Sequence, residues 1–81
     1  MELAVQEVIL SATSPLAGKT IMEAQNTVSD DTIIVALKKA GGPITGSRQA
    51  ARIEEGDTVI VVGDPETLAA FREKNREPGT Y

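Results

Sequence analysis

The chain has 81 residues, with 8 basic against 12 acidic side chains and a net charge of −4, which describes one small acidic domain. It has no cysteine and no histidine. That removes disulfides, thiolate metal sites and thiol nucleophiles, together with the commonest general base and the commonest transition-metal ligand.

One Tyr, one Phe and no Trp leave no stacking platform for bases, and the acidic balance gives no attraction to nucleic acid. No apolar run approaches the roughly 18 residues of a membrane span, and residues 1–10 lack the chemistry of a signal peptide. The expectation is a soluble domain of the cytoplasm, with no nucleic-acid partner, no direct membrane insertion and no enzymatic activity. A chain this short buries a modest fraction of its surface, so self-association is a natural source of extra stability.

Val5 to Leu10 reads as a first strand, ended by Pro15 and Gly18. Thr20 and Glu23 form a T-x-x-E capping box, which predicts a short helix from about Thr20 to Asn26 burying Ile21, Ala24 and Val28. Thr32 to Lys39 is a second strand, and Ala40-Gly41-Gly42-Pro43 turns the chain back at Ile44. The weakly patterned stretch Thr45 to Ala51 predicts a short or irregular third strand. After the turn at Glu54-Glu55-Gly56-Asp57, Thr58 to Val62 is the last and most apolar strand. Asp64 then serves as N-cap with Pro65 at the first helical position, and Leu68 and Phe71 anchor the helix that follows. The fold class is α+β, a small β-α-β-β-β-α domain over residues 1–74, with 75–81 as a flexible tail.

Two strands are apolar on both faces. Strict alternation puts Ile33, Val35 and Leu37 on one side and Ile34 and Ala36 on the other, and opposes Val59 and Val61 to Ile60 and Val62. A sheet sandwiched between its own two helices would account for this; two short helices that cover only one face would instead leave an apolar surface for another subunit, and a homodimer is the preferred reading.

Gly18-Lys19-Thr20 is not a phosphate loop. The G-x-x-x-x-G-K-S/T pattern needs glycine where Thr13 stands, and Pro15 has no amide to donate. Asp30-Asp31 and Glu54-Glu55 with Asp57 are acidic turns whose spacing matches no calcium loop, so no metal ligand is assigned. The basic side chains are more suggestive: Lys38, Lys39, Arg48 and Arg52 place half the positive charge within 15 residues. Beside an apolar strand face they suit an anion with an apolar body; lysines at strand ends also serve simply to discourage aggregation.

Three segments, S-P-L-A-G-K-T-I at 14–21, T-I-I-V-A-L-K-K at 32–39 and E-G-D-T-V-I-V-V-G at 55–63, make the chain resemble the RCK C-terminal (TrkA-C) domain of potassium channel and transporter regulators. The resemblance covers roughly residues 5 to 73 and implies the same β-α-β-β-β-α topology and dimerisation. In that family the domain usually follows a nucleotide-binding RCK N-terminal domain, whose G-x-G-x-x-G segment is absent from this sequence. Some members bind cyclic di-AMP in the groove between two C-terminal domains. By analogy Ile33, Ile34, Lys38, Lys39 and Arg48 stand nearest that groove, with lysine at 39 where ligand-binding relatives often carry arginine. The implied function is a ligand-sensing and dimerisation domain controlling potassium or other cation transport. Cyclic di-AMP or a divalent cation is its candidate ligand. The implied partners are a second copy and a membrane potassium channel, transporter or RCK N-terminal domain, which would hold it at the inner membrane from the cytoplasmic side. The alternative is a purely structural dimerisation module with no ligand of its own.

Overall fold

The structure, a computed structural model, describes residues 2–46 and 48–76. Its elements are β1 (Ala4–Ile9), α1 (Ile21–Thr27), β2 (Thr32–Lys38), β3 (Ile44–Gly46), β4 (Thr58–Gly63) and α2 (Pro65–Asn75), the α+β order that the sequence predicts. The strands form one antiparallel sheet in the order β1-β4-β2-β3. The most apolar strand, β4, is central and paired on both sides, where uninterrupted Val and Ile are best tolerated.

Each paired strand buries one side. Val8, Ile34, Leu37, Val59 and Val61 face a core completed by Ile21 and Ala24 of α1 and Leu68 and Phe71 of α2. The helices pack on the sheet through α1 against β2 and α2 against β1 and β4. Strict alternation fails in β2 for a physical reason. The register with β4 slips between Ile34 and Ala36, so Val35 is the extra residue of a β-bulge. Ile34 and Leu37 therefore both face the core, while Ile33 and Val35 are exposed. The expected grouping of Leu37 with Ile33 and Val35 is corrected by that one inserted residue.

Both helix starts form as expected. The Thr20 side chain accepts from the Glu23 amide at 3.2 Å, and the Glu23 carboxylate accepts from the Thr20 amide at 2.9 Å. That backbone hydrogen bond holds the Glu23 carboxyl below the usual range. Asp64 caps α2 by accepting from the Glu66 amide at 3.0 Å, and the Thr67 hydroxyl is the main cause that holds its carboxyl low.

The 14–21 segment is a turn organised by Ser14. Its hydroxyl donates to Asn75 Oδ1 at 2.6 Å and accepts from the Leu16 amide at 3.1 Å. The Asn75 amide donates to the Phe71 carbonyl at 2.8 Å, locking the end of α2 onto this turn. Asn75, expected to open the tail, is thus the buried last residue of α2. Residues 77–81 of that expected tail lie outside the described residues.

The expected hairpin forms with a short third strand, after which the chain leaves the sheet. Only Ile44–Gly46 pairs with β2, whereas 49–53 returns to the start of α1. Gly18 donates to the Ile53 carbonyl, Ile53 to Lys19, Ile21 to Ala51 and Met22 to Gln49. Because β3 is so short, the first half of β2 lacks a strand on that side, and Gln25 of α1 substitutes for one. Its side-chain amide donates to the Thr32 carbonyl and accepts from the Ile34 amide, both at 2.8 Å.

Candidate functional site

The sheet face that neither helix covers is the candidate site. Register fixes its rows. Val5, Val62 and Ile33 lie side by side; Glu7, Ile60 and Ala36 form the next row; Ile9, Thr58, Lys38 and Ile44 form the third. Val35 adds a further apolar side chain at the bulge. Val5 is 63% exposed, Ile33 54% and Ile44 61%. A domain with so small a core leaves these large aliphatic groups in water, on one continuous surface bordered by Glu7 and Lys38.

The five residues singled out from the sequence divide between different environments. Ile33 and Lys38 are exposed on the open face, near opposite ends of β2. Arg48 is exposed just beyond β3, its amide donating to the Gly46 carbonyl at 2.8 Å. Ile34 turns inward and is 4% exposed in the core.

Lys39 is engaged within the fold: its ammonium donates to Asp57 at 2.5 Å, Glu54 at 2.9 Å and the Arg52 carbonyl at 3.0 Å. Asp57 is buried, and it also accepts from the Ala40 amide at 3.0 Å and the Glu54 amide at 2.9 Å. Burial pushes the Asp57 carboxyl up, but the Lys39 ammonium and the two amides outweigh it and hold the carboxyl below its ordinary range. The Lys39 ammonium is lowered by burial and raised by more through Asp57 and Glu54. The acidic turn 54–57 therefore serves as a counter-charge that ties β4 to the β2–β3 turn. Arg52, the fourth basic residue of the cluster, donates to the Gly18 carbonyl at 2.5 Å.

Val5, Ile9, Val35 and Ile44 complete the open face and were not singled out in the sequence. The signal for the first two was present, since Val5, Glu7 and Ile9 alternate with Gln6 and Val8. Alternation already groups Val35 with Ile33; the residue the bulge displaces is Leu37. Among the described residues no group of three or more acidic side chains is arranged to hold a metal ion. No helix among them is long and apolar enough to cross a membrane.

Comparison with known proteins agrees with this architecture. The TrkA-C domain profile matches residues 5–75. Among solved structures, the RCK_C domain dimer of S. agalactiae BusR in complex with c-di-AMP superposes with a TM-score of 0.68 at 33% identity, over 88% of this chain and 91% of that one. The GsuK RCK domain superposes with a TM-score of 0.69 at 22% identity over 93% of this chain, which spans 16% of the GsuK chain and supports the fold alone. No curated protein sequence matches the chain. A small α+β domain with this strand order, both helices on one sheet face and a match from 5 to 75 belongs to the TrkA-C (RCK_C) family of regulatory domains.

Proposed function

We propose that this chain is a dimerising, ligand-sensing domain that regulates potassium or other cation transport from the cytoplasmic side, through a channel, transporter or RCK N-terminal domain. The observation that carries the reading is the uncovered aliphatic face of Val5, Ile9, Ile33, Val35 and Ile44. A second copy laid on that face would remove it from water, at roughly 25 cal/mol for each Å² of apolar surface buried. Lys38 and Arg48 border the β2–β3 side of the face, where they would meet a dianion held between two copies. Cyclic di-AMP is the proposed ligand, supported by its presence with the BusR RCK_C dimer. A ligand seated between two copies regulates by favouring one dimer arrangement, and it shifts the equilibrium by its difference in affinity for the two.

The purely structural dimerisation module is the second reading, favoured by one observation. The ammonium of Lys39, one of the residues expected beside the groove, already has three acceptors within the fold. Isothermal titration separates the readings. A sensor binds cyclic di-AMP or calcium saturably, and Lys38→Ala weakens cyclic di-AMP binding about ten-fold. A structural module gives no binding heat with either at millimolar concentration.

A further inference from the structure

A second charged site lies at the end of the sheet, where β1, β4 and β2 meet the last turn of α2. A cavity of about 210 Å³ there is lined by Glu7, Ile9, Lys38, Thr58, Arg72 and Arg76. Three basic side chains and one carboxylate share its wall, in a protein whose net charge is −4.

The Arg72 guanidinium is the informative group. Its Nη2 is shut away from solvent without an acceptor. Among the described residues, no hydrogen bond or ion pair engages the rest of that guanidinium either. Arginine carries five N–H donors in a fixed plane; leaving the two on Nη2 unmatched away from water is costly, while Nε and Nη1 stay open to solvent and to an incoming anion. Basic residues near a helix C-terminus commonly neutralise its carbonyl end. That explanation does not suffice for Arg72, because its guanidinium donates to none of the α2 carbonyls. Glu7 lines the same cavity without forming an ion pair with Arg72 or Lys38. Arg76 approaches Glu73 at 3.5 Å and adds its charge to the wall.

We propose that this cavity is a small oxyanion site, taking a phosphate or carboxylate group against Arg72 and Lys38. A guanidinium presents paired N–H donors that match either group, and Lys38 supplies a point charge in the same cavity. The cavity adjoins the open face, since Glu7, Ile9, Thr58 and Lys38 belong to its rows, but Arg72 and Arg76 come from α2 and lie outside the residues proposed for cyclic di-AMP. Lys38 is common to both, so Arg72 discriminates between them.

The test titrates the 81-residue chain with sodium phosphate and, separately, sodium acetate, each against sodium chloride at matched ionic strength. Melting temperature and the arginine Nε–H NMR signals are followed together. The expected result is a saturable rise in melting temperature with one or both anions and movement of the Arg72 signal. The arm that responds identifies the group. Arg72→Met weakens the response about ten-fold or more, and Glu7→Gln strengthens it by removing the competing carboxylate. Without added anion, Arg72→Met melts at or above the wild type, since the unmatched, desolvated Nη2 has been removed. Should that variant fail to fold, Lys38→Met must weaken the same response. The absence of any saturable response beyond chloride overturns the proposal. So does an undiminished response in Arg72→Met, or in Lys38→Met where that variant is used.

Discussion

Asp57 shows how a single side chain holds the domain together. It is 2% exposed, yet it carries its charge because Lys39 and the amides of Ala40 and Glu54 converge on it. Its carboxyl lies below the ordinary 3.8 in the fold, so the unfolded chain takes up the proton more readily. The resulting stabilisation is fully present above pH 3.8 and is lost as pH falls through the lower folded value. Lys39 has the opposite sign: raised above 10.5, its contribution is full below that pH and fades as pH rises through the folded value. Asp57→Asn should cost about 1–3 kcal/mol at neutral pH and give a shallower loss of melting temperature on acidification than the wild type. Parallel acid profiles for the two proteins would show that Asp57 does not carry this charge-dependent stability. Gly63 is a second such position, because a Cβ there would sit 2.6 Å from the Asp31 carbonyl oxygen and 3.2 Å from Leu68. Gly63→Ala should destabilise by about 1–3 kcal/mol, measured by urea denaturation, with the end of β4 pushed away from the start of β2.

The elements show which parts of a sequence determine local structure and which need a tertiary partner. The capping box at Thr20 and Glu23 and the Asp64-Pro65 start of α2 were legible because a cap is a local reaction between neighbouring backbone and side-chain groups. The apolar runs of β2 and β4 were legible as strands for the same reason. The bulge at Val35 was not, since an inserted residue is defined only by the register of a partner strand. The path of 49–53 was also hidden: its backbone partners are Gly18, Lys19, Ile21 and Met22, about thirty residues earlier in sequence. Asn75 looked like a polar tail residue because its buried partner, Ser14, lies at the other end of the chain. Among the candidate site residues, Ile33 was readable by alternation, but Lys38 shares its face only through the bulge, and the engagement of Lys39 by Asp57 likewise required the fold.

The whole molecule is a one-sided sandwich, with two helices on one face of a four-stranded sheet and aliphatic side chains on the other. Such an arrangement completes its burial only through a partner, and the self-complementary choice is a second copy related by a two-fold axis. Ligand sensing and structural dimerisation both depend on that face, so it is the central claim. The most direct test is the molecular mass of the chain in solution, by sedimentation equilibrium across protein concentration, for the wild type and Ile33→Asp. The wild type should approach twice the chain mass, with a melting temperature that rises with concentration. Ile33→Asp should be monomeric yet folded, because Ile33 makes no part of the core. A wild-type chain that stays monomeric at hundreds of micromolar, or an Ile33→Asp variant that dimerises equally well, would contradict the account.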